Sequence, residues 1–270
     1  FSLGYAVTVQ IGNGTYSQTY PFNPSYGYVR SLGIYTADQI GQFGKISSLG
    51  WHVSYSSDTS IPYKIYVKST NATQLSSMTW ADFTSGAMLV KEGSYTFNTR
   101  GWHTFTLDPT FPYAEGNLLI GVESNYGGGG AYYYPSFYCT ARYLGWHQYW
   151  TQNQSAPTGN GTLSYRSPDL QLTLTPFPDY PVLSLYPTGW DFGSLPINTT
   201  NSKTFTITNY GSGTLNVTGI SPMSASFFTV TDAPTFPVAL TTGQSATFKI
   251  KYAPTAAGSH TATFNITHSQ

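Results

Sequence analysis

Hydrophobic and polar positions along this chain alternate with a period of two. Leu3, Tyr5, Val7 and Val9 are separated by small or polar residues, and the pattern returns at 63–68, 102–107, 118–122 and 170–174. In an extended strand successive side chains point to opposite faces, so such runs predict strands with one face on a core. Clusters of Gly, Pro, Asn and Ser separate the runs, as between the many short strands of a sandwich or jelly roll. Helix signals are confined to 36–40 and to a turn or two within 71–83, around Leu75, Met78 and Trp80. The expected fold class is all-β.

A boundary falls at 176–181, where Pro176, Pro178 and Pro181 put three prolines into six residues. Proline fixes the backbone and removes a ladder donor, so this stretch predicts an extended linker rather than a central strand. Beyond it Trp and Tyr thin out, and Thr-rich alternation takes over at 203–208 and 246–252. The expected organisation is a jelly-roll-like β-sandwich over 1–175, a Pro-rich linker at 176–181, and a smaller sandwich over 182–270.

Composition narrows the function. Only 8% of residues are charged, and eleven basic side chains balance eleven acidic ones. No field exists to gather nucleic acid or an anionic membrane, and no apolar run is long enough for membrane insertion. Aromatics reach 17%, with 23 Tyr, 16 Phe and 6 Trp, so ample area can be buried and disorder is excluded. The single cysteine, Cys139, permits no intrachain disulfide and reads as a small buried hydrophobe. The first residue is Phe rather than Met, which suggests a processed or trimmed N-terminus. Thr, Ser, Asn, Gly and Tyr replace charge on the surface, a composition expected of an extracellular or cell-surface protein.

The second half carries a recognisable set of turns. Leu183-Ser184-Leu185-Tyr186-Pro187, Trp190-Asp191-Phe192-Gly193 and Thr208-Asn209-Tyr210-Gly211-Ser212-Gly213-Thr214-Leu215 are followed by Thr242-Gly243-Gln244 and Ala253-Pro254-Thr255-Ala256-Ala257-Gly258. As a set over 181–268 they resemble hydin-type (ASH-like) immunoglobulin-like repeats. The resemblance implies an immunoglobulin-like domain that serves as a spacer or interaction module. That repeat runs on past 262–267 into a final strand, whereas this sequence stops at Gln270. The expectation is a fragment of a longer protein, or a domain completed by a strand from elsewhere, with Leu3, Tyr5, Val7 and Val9 of a neighbouring molecule as the candidate donor. Less specifically, Ile11-Gly12-Asn13-Gly14-Thr15, Gly101-Trp102-His103-Thr104-Phe105 and Asn117-Leu118-Leu119-Ile120 resemble jelly-roll modules of large secreted bacterial surface proteins over 8–174. That resemblance implies surface display or secretion.

Chemistry-bearing motifs are sparse. The glycine runs 12–14, 127–130 and 159–161 lack the third glycine, lysine or following helix of a phosphate site and read as turns and a flexible loop. Glu123, after an apolar strand, is the one carboxylate worth inspecting as half of a glycosidase pair. Gly-Trp-His occurs three times, ending at His52, His103 and His147, and would hold a metal only if the strands brought the imidazoles together. The aromatic stretch 126–150 is the candidate carbohydrate site, with Tyr132, Tyr134, Tyr143, Trp146 and Trp150 offering rings for sugar stacking. Asn13, Asn71, Asn153, Asn160, Asn198, Asn216 and Asn265 head N-glycosylation sequons.

The expected function is therefore a non-catalytic structural or adhesive surface protein, self-assembling by β-strand donation, with a carbohydrate-binding module as the alternative. The expected partners are further copies or other surface modules, and glycans, without nucleic acid, metal or cofactor.

Overall fold

The alternating runs become strands wherever a second sheet is at hand to cover their apolar face. The computed structural model describes residues 5–221 and 225–269. The chain divides into one unit over Tyr5–Pro176 and another containing Phe177–Gln270.

The first unit contains β1 (Val7–Ile11), β2 (Tyr16–Gln18), β3 (Tyr28–Tyr35), β4 (Gly44–Tyr55), β5 (Ser60–Thr70), β6 (Met88–Thr96) and β7 (Gly101–Tyr113). It continues through β8 (Asn117–Asn125), β9 (Ser136–Ala141), β10 (His147–Gln152), β11 (Thr162–Ser164), β12 (Arg166–Pro168) and β13 (Leu170–Thr175). Seven strands form one sheet in the order β1-β13-β4-β9-β12, with β7 paired to β4 and β2 to β9; six form the other, β11-β10-β3-β8-β5-β6. The chain crosses repeatedly between the two, giving a jelly-roll-like sandwich. Its core is rich in rings: Phe22 packs on Trp51, Tyr63, Phe97, Phe105 and Phe137. Leu170, Leu172 and Leu174 of β13 are fully buried while Gln171 and Thr173 between them are half-buried, as a period of two requires.

A second apolar cluster lies on the other face of the six-stranded sheet, where Leu32, Ile34, Leu119 and Trp150 meet Leu75, Trp80 and Phe83. The signal at 36–40 is realised as a single turn, α1 (Ala37–Ile40), and that within 71–83 only at its end, as α2 (Trp80–Thr84), with Leu75 and Met78 outside it. Thr36 with Gln39, and Thr79 with Asp82, form capping boxes that satisfy the free amides of so short a helix. α2 seats its rings on Gly121, where an added Cβ would stand 2.2 Å from Phe83 Cε1 and 2.8 Å from Trp80 Cη2. Gly121→Val should force α2 off the sheet and lower the stability of this unit by about 2 kcal/mol, the usual scale of overpacking, read as a lower melting temperature. An unchanged melt would mean that α2 yields freely.

The second unit packs β14 (Leu183–Tyr186), β15 (Asn201–Asn209), β19 (Ser245–Tyr252) and β17 (Phe228–Thr231), in that order, against β18 (Val238–Leu240), β16 (Leu215–Ile220) and β20 (Ile266–Ser269). Phe205, Ile207, Leu215, Val217, Leu240, Phe248 and Ile250 form its core. The expected linker shrinks. Pro178 O accepts from the Ser212 amide at 2.7 Å and Val182 O from the Tyr210 amide at 2.8 Å, so the chain from Pro178 already belongs to this sandwich.

Candidate functional site

In the second unit two long segments run without strand structure, 187–200 after β14 and 253–265 after β19. Between them opens a cleft of about 860 Å³. Trp190, Phe192, Leu195 and Ile197 line it from the first segment, and Pro254, Ala257, His260 and Ala262 from the second. β17 and β19 contribute Phe228 and Tyr252, whose rings stack at 4.7 Å. Tyr252 and His260 are hydrogen-bonded, Oη to Nδ1, at 2.8 Å, and the His260 ring stacks on Phe227 at 4.0 Å.

The two segments are tied together at one end, where the Asn198 amide donates to Pro254 O at 2.8 Å. Farther along, no backbone hydrogen bond crosses between 190–195 and 256–262 among the described residues. Among the described residues β20 pairs with β16 alone, on one side. Trp190 and Ile197 are each about half exposed, at 52% and 48%. A slot of mixed apolar and polar lining, beside main-chain groups that no backbone bond joins across it, has the chemistry of a strand acceptor: main-chain groups to pair with, and aromatic hollows for alternate side chains.

Of the candidate donor residues, Leu3 lies outside the described residues. Tyr5 is exposed, but Val7 and Val9 are already paired within their own sandwich, opposite Leu174 and Leu172 of β13. Their alternation serves an intramolecular edge, which removes them as donors.

The candidate sugar-binding residues are scattered. Tyr132 and Tyr143 are 86% and 85% exposed, and Tyr134 is partly so. Trp146 is half-buried against the second cluster, with the Arg142 guanidinium 5.0 Å over its ring. Trp150 is buried beneath the 159–161 turn, its Nε1 donating to Gly159 O at 3.0 Å, so it has no face to offer a sugar. The outer side of the six-stranded sheet is an interior because α2 covers it.

The three histidines do not converge. β4 and β7 pair so that Trp51 faces His103 and His52 faces Trp102; the first pair lies in the core and the second on the outer face. His147 is buried in the other sheet, with Nε2 2.9 Å from Ser31 Oγ. Among the described residues no group of three His, Cys, Asp or Glu side chains is placed to hold a metal ion. Both oxygens of Glu123 are engaged, Oε1 by Arg30 at 2.7 Å and Asn125 at 3.0 Å, and Oε2 by the Tyr66 hydroxyl at 3.2 Å. Burial pushes the Cys139 thiol up to about 11, which keeps it protonated and unreactive. All seven sequon asparagines are exposed.

Comparison with known proteins assigns the second unit. Residues 181–270 match the HYDIN/CFA65/VesB-like Ig-like domain. The turns over 181–268 are thus those of a hydin-type repeat, and the cleft belongs to this Ig-like domain. No curated protein matches the chain. Among solved structures, the cysteine protease and lectin-like domains of Cwp84, a surface layer associated protein of Clostridium difficile, are similar at 9% identity and a TM-score of 0.35, over 61% of this chain and 37% of that one. Among the described residues no helix is long and apolar enough to cross a membrane.

Proposed function

We propose that this chain is a non-catalytic extracellular structural or adhesive protein whose copies join by β-strand donation into the Ig-like cleft. The observation that carries the reading is the 860 Å³ slot between 190–197 and 254–262, lined by Trp190, Phe192, Phe228 and Tyr252 and crossed by no backbone hydrogen bond between 190–195 and 256–262 among the described residues. With Val7 and Val9 held in β1, the donor narrows to Phe1-Ser2-Leu3-Gly4-Tyr5, which alternates large apolar with small residues. Donation from one copy to the next is a heterologous contact, and repetition of it builds an open filament unless the rotation closes a ring. The engagement of both Glu123 oxygens favours a structural part for the best-placed carboxylate and supports the non-catalytic side of the reading. Surface location is supported by a composition poor in charge and by seven exposed sequons.

Deletion of residues 1–5 should convert filaments or concentration-dependent oligomers into monomers, read by negative-stain imaging and light scattering. Ile197→Asp, which puts a charge at the half-exposed rim of the cleft, should do the same. A longer deletion reaching residue 9 would strip β1 from β13 and confuse assembly with folding. Monomers in every sample, including the intact chain, would end the assembly reading.

A further inference from the structure

The two outer faces of the first sandwich are built differently. That of the six-stranded sheet is roofed by α2, and its rings are buried. That of the seven-stranded sheet bears rings with no such roof among the described residues. Trp102 of β7, His52 of β4 and Tyr138 of β9 follow one another across three adjacent strands and are all half-buried. His52 and Trp102 stack at 4.9 Å with 13° between their planes, and Tyr138 leans on His52 at 4.8 Å. Trp102 thus braces His52 from behind, while His52 and Tyr138 line an open groove of about 620 Å³ together with Gln10, Asn13, Thr15 and Arg100.

The polar side of this groove is held in place. Asp169, 2% exposed, accepts from the Gly14 amide at 2.8 Å and from Thr140 Oγ1 at 2.7 Å. A Cβ on Gly12 would stand 2.2 Å from Asp169 Oδ1, and one on Gly14 would overlap the Cys139 carbonyl. Gly12-Asn13-Gly14 therefore lies flat on β9 and presents Asn13, and only glycine fits on either side of it. The side chains of Asn13 and His52, and the Tyr138 hydroxyl, have no hydrogen-bond partner among the described residues. The Arg100 guanidinium has no ion pair there and stands 6.0 Å from the Tyr55 ring. Tyr55 in turn lines a neighbouring hollow of about 400 Å³ with Ser56, Thr59 and Tyr133. Tyr55 and Tyr133 are 58% and 71% exposed, a concentration of uncovered rings that on a monomer marks a binding surface.

We propose that this face binds a neutral, linear oligosaccharide, running from the His52–Tyr138 rings past Arg100 to Tyr55 and Tyr133. Flat rings meet the C–H faces of pyranoses, while amides, hydroxyls and a guanidinium reach their hydroxyl edges. The groove lies on a sheet face, and its lining offers Val53 as the sole aliphatic side chain. One Arg against two Asp, the tied Asp169 and Asp58 of the neighbouring hollow, gives no field for a polyanion. This site is independent of the Ig-like cleft and stands or falls separately from strand donation.

The test is affinity electrophoresis of the chain, produced in a host that does not glycosylate Asn13, through gels containing soluble β-glucan, xylan or mannan. Isothermal titration with hexasaccharides of the retaining polymer follows. Tyr138→Ala and Asn13→Ala should each weaken binding about tenfold, the scale of one lost ring contact or hydrogen-bonding pair, at an unchanged melting temperature. Trp146→Ala, on the covered side, should bind as the parent does. Asn13→Ala removes no internal bond, so its result stands even where Tyr138→Ala folds poorly. No retention by any of the three polymers, or retention lost with Trp146→Ala and kept in Asn13→Ala and Tyr138→Ala, would overturn the proposal.

Discussion

Asn209→Ala should unfold the Ig-like domain at a temperature at least ~12 °C lower than the parent, the largest single-residue effect expected in this chain. Asn209 ends β15 and is fully buried. Its Oδ1 accepts from the Val182 amide at 3.0 Å and the Gly211 amide at 2.9 Å, while Nδ2 donates to Gly213 O and Leu240 O, both at 3.0 Å. One amide thus joins the entry to β14, its own turn and the end of β18. Alanine would leave these four main-chain groups without it. A buried group left unsatisfied costs about 1–3 kcal/mol, so a total of about 3–5 kcal/mol follows even if water reaches some of them. For a domain of this size each kcal/mol shifts the midpoint by roughly 4–8 °C. Calorimetry follows the domain, with fluorescence of Trp190, its lone tryptophan, as a second probe. A shift of only a degree or two would mean that the turn holds without its amide.

That turn was legible because its chemistry is local. Asn209, Gly211 and Gly213 stand within five residues, and only particular side chains fit such a bend. The strands were legible for a similar reason: β13 and β5 bury every second residue, so a short window carries the signal. A period of two does not say which face is inward, however. In the two triplets at 50–52 and 101–103, Trp51 is core and Trp102 is outside, because antiparallel pairing sets each Trp opposite the other's His. Trp150 read as a sugar platform because nothing near it in sequence announces the roof of Trp80 and Phe83. Val9 read as a donor because its partner, Leu172, lies more than 160 residues away. The groove is the extreme case. Asn13, His52, Arg100 and Tyr138 come from four separate segments, and the single local trace was a glycine on either side of Asn13.

Acidification should destabilise the first sandwich through His147, well before its carboxylates titrate. The ring is completely buried, with Nε2 beside Ser31 Oγ, Nδ1 unpartnered among the described residues, and Tyr20 at 5.3 Å. Burial alone pushes its pKa down to about 3. Unfolded, a histidine titrates near ~6.5. Between these values the unfolded chain holds a proton that the native state refuses. Stability is therefore fully present above the unfolded value and falls as the pH drops towards the folded one. The slope approaches ~1.4 kcal/mol per pH unit, so about 2–3 kcal/mol is lost between ~6.5 and ~4.5. His52, also lowered by burial but far less enclosed, adds a smaller loss of the same sign. Chemical denaturation from pH 7 to 5, above the ordinary carboxylate range, isolates the histidine contribution. His147→Gln keeps an amide within reach of Ser31 and has nothing to protonate, so its stability should be nearly flat over that interval. Parallel curves for parent and variant would show that His147 takes up its proton in the native fold, and would contradict the sealed, neutral ring on which the prediction rests.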